Sequence, residues 1–196
     1  MKKALFLLLD DFADWEGSHL SSILNQNEKW SVKTISLKEK VISIGGFSVL
    51  VDYIIGFEPK DYDLLILVGG NSWNINDQRL FKFIEESFNK NIVIGAICGA
   101  VDYLAKNGFL NDYNHTGNSV YLWKNHEFYT SEDKFLEIQA VNDRGLVTAN
   151  GTAPLEFTKE ILKEINFDTL ENIEKTMYMK RFGFYKYCEK FGNPFN

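Results

Sequence analysis

Cysteine and histidine are scarce in this sequence of 196 residues, which contains two cysteines, Cys98 and Cys188, and three histidines. Two cysteines are too few for a disulfide framework or for a cysteine-rich metal cluster. The histidines lie at no spacing to cysteine or aspartate that is typical of a zinc site. We therefore predict a protein without a metal or another cofactor, located in the reducing cytoplasm.

Apolar runs of membrane length and a net positive charge are absent as well. After Met1, Lys2 and Lys3, only six apolar residues precede Asp10. Such a run is too short for a secretory leader or for a membrane span. The formal net charge is −6 and the isoelectric point is about 5.2, so a broad cationic surface for nucleic acid is not expected. We predict neither a membrane nor a nucleic-acid partner.

The sequence does contain short, wholly apolar runs that are separated by helical patterns. Residues 4–9, 64–68 and 92–97 are such runs, and each is typical of a strand that is buried on both faces. Strands that alternate with helices through short loops indicate an α/β fold with a mainly parallel sheet. No internal repeat or low-complexity linker interrupts the pattern, so we predict one domain over residues 1–166.

Residues 167–196 differ from the rest of the chain. Leu170, Ile173 and Met177 have helical spacing, and an aromatic tail interleaved with lysines follows. Aromatic and basic residues together can form a platform for nucleic acid. Because the whole chain is acidic, we predict instead a C-terminal helical extension that packs on the same domain or on a partner subunit.

Cys98 is the strongest candidate for chemistry. It lies between the apolar run 92–97 and a short helical pattern that ends near Asn107 and Gly108, so we predict a tight turn from strand to helix. Small neighbours, among them Gly99, suit the strained turn on which nucleophiles of α/β hydrolytic enzymes lie. A thiol at a helix N-terminus faces free N–H groups that favour the thiolate. The alternative is a buried structural cysteine.

Glu16 is the second candidate. It precedes Leu20 by four residues and Ile23 by seven, which places its carboxyl group on the helix face that packs against the sheet. A buried carboxyl group should have a raised pKa, and in its protonated form it could donate a hydrogen bond to a thiolate. The alternative is an exposed carboxylate whose negative charge interacts favourably with the positive end of the helix dipole. The sequence leaves both open.

Two glycines and a histidine complete the predicted site. Gly70 follows the apolar run 64–68, and its N–H together with that of Gly99 could stabilise an oxyanion. His115 is the candidate base, because the chain after the cysteine helix is long enough to return to Cys98. A simple turn is the alternative for the glycines.

These residues resemble the DJ-1/PfpI family of the class I glutamine amidotransferase-like superfamily. The resemblance covers about residues 3–165. The motifs that carry it are Ala96-Ile97-Cys98-Gly99-Ala100, Gly69-Gly70, Asp14-Trp15-Glu16, Asn107-Gly108-Phe109-Leu110 and the segment 148–157.

The resemblance implies a flavodoxin-like three-layer sandwich in which Glu16 contacts a reactive Cys98. It also implies Gly70 and Gly99 as oxyanion donors, and His115 falls where many members have a histidine. PfpI-type members have a histidine directly after the nucleophile, whereas this sequence has Gly99, which weakens a protease assignment. Members are often dimers, so we expect a homodimer.

Our first functional hypothesis is a cysteine-dependent enzyme that acts on a small carbonyl or amide substrate. It would be a hydrolase or amidase, or would convert an α-oxoaldehyde as a glyoxalase does. The alternatives are a non-catalytic redox or stress sensor that works through oxidation of Cys98 and a ligand-binding module without catalysis. The family hosts several activities, so the fold does not choose among them.

Overall fold

The computed structural model describes residues 1–90 and 92–195. The strands are β1 Lys2–Leu7, β2 Trp30–Ser36, β3 Lys40–Ile42, β4 Ser48–Leu50, β5 Tyr53–Ile54, β6 Leu64–Leu67, β7 Val93–Ile97, β8 Ala140–Asp143 and β9 Leu146–Ala149. The helices are α1 Asp14–Asn25, α2 Gln78–Asn89, α3 Gly99–Lys106, α4 Pro154–Glu164, α5 Leu170–Phe182 and α6 Phe184–Phe191. Two short 3-10 helices, Val120–Trp123 and Glu132–Lys134, lie in the connection between α3 and β8.

Seven of these strands form one sheet in the order β5-β2-β1-β6-β7-β9-β8. Every neighbouring pair is parallel except β8 and β9, which form an antiparallel hairpin at one edge. The strands β3 and β4 form a separate antiparallel hairpin. The predicted α/β fold with a mainly parallel sheet is therefore confirmed.

Helices cover both faces of the sheet, because its central strands are apolar on both sides. Every residue of β6 is buried, as are the last four residues of β1 and of β7. The helices α2 and α3 pack on one face, and α1, α4 and α5 pack on the other. The helix residues in these two cores include Leu80, Ile84, Val101 and Leu104 on the first face and Leu20, Leu24, Phe157, Ile161 and Met177 on the second.

A glycine in the middle of β7 brings helix α4 close to the strand that leads to Cys98. A Cβ atom on Gly95 would lie 2.7 Å from Cδ1 of Ile161 and 2.8 Å from Cζ of Phe157. Both side chains belong to α4, so the absence of a side chain on Gly95 allows this helix to pack directly on the strand. The close packing holds the end of β7 in place next to the loop before α4.

The C-terminal residues form two helices, and the first of them packs on α4. Ile173 and Met177 of α5 are buried against the core, and Lys159 of α4 forms an ion pair with Glu174 at 2.5 Å. Tyr185 of α6 is 82% exposed, whereas Phe184 and Phe191 are each 38% exposed. The division of the chain into 1–166 and 167–196 and the homodimer stay predictions, and residues 91 and 196 lie outside the described residues.

The helices of the described residues are all too short or too polar to cross a membrane. A cytoplasmic location stays a prediction.

Candidate active site

Cys98 lies in a strained backbone conformation at the junction of β7 and α3. Its φ is +57° and its ψ is −128°, a region that non-glycine residues rarely adopt. Its N–H donates to the carbonyl oxygen of Ala149 at 3.0 Å, and its own carbonyl oxygen accepts the N–H of Val101 at 2.9 Å. The first bond ties the turn to the end of β9, and the second begins α3. The predicted turn from strand to helix is confirmed.

Two glycines leave the space that the Cys98 side chain and its neighbours occupy. A Cβ atom on Gly69 would lie 2.6 Å from Cβ of Cys98 and 2.3 Å from Oε2 of Glu16. A Cβ atom on Gly151 would lie 2.8 Å from Sγ of Cys98 and 3.2 Å from Oε1 of Glu16. Real side chains do not approach this closely, so both glycines are required for the thiol and the carboxyl group to lie side by side.

Glu16 points into the sheet side of α1, next to the thiol. Its side chain is 1% exposed, so of the two alternatives that the sequence leaves open the structure has the buried carboxyl group. Burial raises the pKa of Glu16 to about 7, although hydrogen bonding to Cys98 and to the backbone of Gly69 opposes this rise. No hydrogen bond of good geometry reaches Oε2 within the described part of the chain. A carboxyl group with this pKa can both accept and return a proton near neutral pH.

Burial also raises the pKa of the Cys98 thiol, and the negative charge of Glu16 raises it further. The Asn118 amide and the N–H of Gly99 lower the pKa of the thiol, and the Gly99 contribution is the effect expected of a helix N-terminus. Burial has a larger effect on the pKa of Cys98 than these donors have. The resting group is therefore a thiol beside a titrating carboxyl group. The sequence-based expectation of a favoured thiolate is corrected here, because periodicity does not reveal how deeply the sulfur is buried.

Asn118 is a site residue that the sequence did not indicate. Its Nδ2 donates to Sγ of Cys98 at 3.4 Å, and its Oδ1 accepts the N–H of Gly151 at 2.9 Å. One side chain thus connects the thiol to the loop before α4. An asparagine in an irregular loop has no pattern that marks it, and only the fold brings it to the sulfur.

His115 does not face the thiol. Its ring is fully buried, with Nδ1 donating to the carbonyl oxygen of Tyr113 at 2.7 Å and Nε2 at 2.8 Å from the hydroxyl of Tyr129. The rings of Trp123 and Phe135 surround it. Both ring nitrogens are therefore engaged away from Cys98, and the predicted role of His115 as the base is corrected to that of a buried group that joins parts of the loop between α3 and β8.

The two predicted oxyanion donors are brought together by the fold. Gly70 has a φ of +143°, and a Cβ atom there would lie 2.1 Å from the carbonyl oxygen of Asp11. A Cβ atom on Gly99 would lie 2.5 Å from the carbonyl oxygen of Gly70. Both positions thus require glycine, and the two backbones run in contact at the N-terminus of α3. Their role as oxyanion donors stays a prediction.

Removal of the Asn118 amide should slow the reaction of the thiol. We expect Asn118→Ala to reduce the alkylation rate of Cys98 by iodoacetamide at pH 8 by about tenfold, because a hydrogen bond to a charged group contributes roughly 1.5 kcal/mol. Mass spectrometry of the Cys98 peptide over time gives the rate. Ser119→Ala is the control, since the hydroxyl of Ser119 accepts from the backbone of Tyr121 and not from the thiol. An unchanged rate in Asn118→Ala would contradict the contact.

Comparisons with known proteins find a family model and relatives that match most of this chain. The sequence model of the DJ-1/PfpI family matches residues 2–164. The chain is 61% identical over 195 residues to a Bacillus subtilis (strain 168) protein named "Uncharacterized protease YdeA", which covers 100% of this chain and 99% of that protein. It is 33% identical over 185 residues to "Uncharacterized protease YoaZ" of the same organism, covering 87% of this chain and 88% of that protein.

Solved structures of similar proteins have the same fold. A thiJ/pfpI family protein from Bacillus anthracis has a TM-score of 0.87 and 28% identity, covering 98% of both chains. A DJ-1 superfamily protein from Agrobacterium tumefaciens has a TM-score of 0.84 and 30% identity, covering 93% of this chain and 100% of that one.

Proposed function

Because this chain belongs to the DJ-1/PfpI family, we propose that it is a cysteine-dependent enzyme that acts on a small carbonyl or amide substrate. The observation that carries the proposal is the buried Glu16 carboxyl group, with a pKa of about 7, next to the Cys98 thiol. A base works best when its pKa lies near the working pH. The raised pKa of the thiol makes such a base necessary, since little thiolate forms without it.

The proposed first step is addition of the sulfur to the substrate carbonyl. The ionised Glu16 takes the proton of the Cys98 thiol, the sulfur forms a bond to the carbonyl carbon, and the carbonyl π electrons move to the oxygen. The N–H groups of Gly70 and Gly99 stabilise that oxyanion. With an amide, the oxyanion collapses, the C–N bond breaks, and Glu16 returns its proton to the leaving amine. Water then hydrolyses the thioester to a carboxylic acid and the free thiol.

Both Bacillus subtilis relatives have the word protease in their names, and a protease hydrolyses amide bonds. The glycine at position 99 weakens a protease assignment, because PfpI-type members carry a histidine directly after the nucleophile. Among the residues that the structure describes, no imidazole is hydrogen-bonded to the Cys98 sulfur, and Glu16 supplies the proton transfer instead.

The test of the proposed function is the pH dependence of alkylation at Cys98. In the wild-type protein we expect the iodoacetamide rate to rise with an inflection near pH 7, where Glu16 ionises, and to rise again at alkaline pH. In Glu16→Gln the inflection should disappear and the rate at pH 7.5 should fall at least about tenfold, since base assistance typically contributes a hundredfold or more.

Cys188, half-buried on α6, provides an internal reference within the same protein. A wild-type profile with one alkaline inflection, shared by Cys98 and Cys188, would refute the proposed base. A screen of methylglyoxal and chromogenic amides with Cys98→Ala as the inactive control then identifies the reaction. Turnover that survives in Cys98→Ala would exclude the proposed nucleophile.

A redox sensor is the second candidate, and the donors around the sulfur favour it. The Asn118 amide, the N–H of Gly99 and a protonated Glu16 could all donate to oxygen atoms on an oxidised Cys98. Peroxide would transfer one oxygen to the thiolate and leave as water. Mass spectrometry after mild peroxide treatment distinguishes this case: a sensor gains oxygen selectively at Cys98, and equal oxidation of Cys98 and Cys188 argues against it.

A further inference from the structure

A cleft opens along α3 on the side of the two candidate oxyanion donors. Its volume is about 390 Å³, and its walls include Gly70, Gly99, Trp73, Trp123 and Lys106. This volume lies within the range of sites that hold small molecules. A ligand in the cleft would therefore have one end at Gly70 and Gly99 and would extend along the helix.

Lys106 holds a positive charge at the far end of this cleft. Its Nζ donates to Oδ1 of Asn74 at 3.1 Å and to Oδ1 of Asn76 at 3.2 Å. Both acceptors are neutral amides, so they fix the ammonium group in place without balancing its charge. Within residues 1–90 and 92–195, Lys106 forms no ion pair.

Asp102, which also lines the cleft, does not form an ion pair with Lys106. Asp102 lies four residues earlier on α3, the spacing at which helical ion pairs form. Its Oδ1 instead accepts the indole N–H of Trp123 at 2.7 Å, and burial raises its pKa. His126 also lines the cleft, and burial together with the charge of Lys106 lowers its pKa, so its imidazole is uncharged at neutral pH.

The length of α3 separates the backbone position of Lys106 from that of Gly99, the residue that follows Cys98. Gly99 and Lys106 are the first and last residues of the helix, and a rise of about 1.5 Å per residue separates them by roughly 10 Å. Lysine is a point charge with three donors, which suits the oxygen atoms of a carboxylate or a phosphate equally.

We propose that the substrate is a small acidic compound, whose anionic oxygen group binds Lys106 near the end of α3 while its carbonyl reacts with Cys98 next to Gly99, at the start of that helix. This inference rests on the proposed function and adds the substrate class to it. Lys106 is a specificity-determining residue in this arrangement, and Asn74 and Asn76 orient it.

Charged and neutral alkylating reagents of one length test the proposal. The reagents are the iodoacetyl derivatives of γ-aminobutyrate, of phosphoethanolamine and of γ-aminobutyramide, with plain iodoacetamide as the reference. At low ionic strength and neutral pH we expect the wild-type protein to react with at least one anionic reagent roughly fivefold faster than with the neutral one, the upper range for a single partly exposed ion pair. The ratio of the two anionic rates distinguishes a carboxylate from a phosphate.

The ratio of the anionic to the neutral rate should fall to about one in Lys106→Gln, and in the wild-type protein it should decrease as salt is added. Lys29→Gln, which removes an exposed lysine between α1 and β2, is the matched control and should keep the preference. Equal rates for all three reagents in the wild-type protein, or a preference that survives in Lys106→Gln, would overturn the inference. Loss of the inflection near pH 7 with iodoacetamide would instead refute the proposed function, so the two failures are distinguishable.

Discussion

Gly69→Ala is expected to lower the free energy of unfolding by about 3 kcal/mol, the upper range for an overpacked core position. The new Cβ atom would lie 2.5 Å from the carbonyl oxygen of Ile97 and 2.6 Å from Cβ of Cys98. Backbone and a strained turn cannot give way as a flexible side chain can, so β6 and β7 must separate. The thiol and Glu16 would then move apart, and alkylation of Cys98 at pH 7.5 should slow by roughly tenfold or more.

Gly45→Ala is the matched control for that substitution. The three atoms nearest to a Cβ atom there all belong to the Asp14 carboxylate, with Oδ2 at 2.8 Å. That side chain can rotate away, so we expect a loss of about 1 kcal/mol or less and an unchanged alkylation rate. Urea unfolding followed by tryptophan fluorescence measures stability in both variants. Equal stability of Gly69→Ala and Gly45→Ala would contradict the close packing around Cys98.

Glu16 should make the protein less stable as the pH rises from about 4.5 to 7. Its pKa is about 7 in the folded protein and 4.5 in the reference state that represents the unfolded chain. Below pH 4.5 the carboxyl group is protonated in both states and has no effect. Above that pH the unfolded state releases the proton more readily, so the free energy of unfolding decreases until pH 7, by about 3 kcal/mol in total.

Glu16→Gln removes this titration and isolates its contribution. We expect the variant to match the wild-type protein at pH 4.5 and to exceed its free energy of unfolding at pH 8 by about 2–3 kcal/mol. Glu28→Gln, at an exposed position between α1 and β2, should follow the wild-type curve at both values. A variant that is less stable than the wild-type protein at pH 8 would indicate that the Glu16 carboxylate is stabilised in the fold and does not have a raised pKa.

The strands and the nucleophile turn could be predicted because local patterns encode them. The apolar runs 4–9, 64–68 and 92–97 became β1, β6 and β7, since a segment without polar side chains must be buried on both faces. A cysteine that follows such a run and is flanked by small residues predicted the turn at Cys98. The match of the family model over residues 2–164 confirms the resemblance that these motifs indicated.

Local patterns could not decide how Glu16 is buried or where the ring of His115 lies. Helical spacing placed Glu16 on the inner face of α1, and yet an exposed first-turn carboxylate fitted the sequence equally well. His115 was chosen as a base because the chain could return to Cys98, and chain length allows many end points. Its ring instead lies between Tyr113 and Tyr129, because an aromatic cluster around Trp123 offers partners for both nitrogens.

The sequence by itself determined the layered α/β fold and the location of the thiol, because periodicity and turn chemistry act between residues close in the chain. Only the tertiary structure decided what surrounds that thiol. Gly69, Asn118 and Gly151 converge on Cys98 from three separate segments, and the burial they create raises the pKa values of both the thiol and Glu16. Burial depth and contacts between distant segments depend on how the whole chain packs, and no local pattern records them.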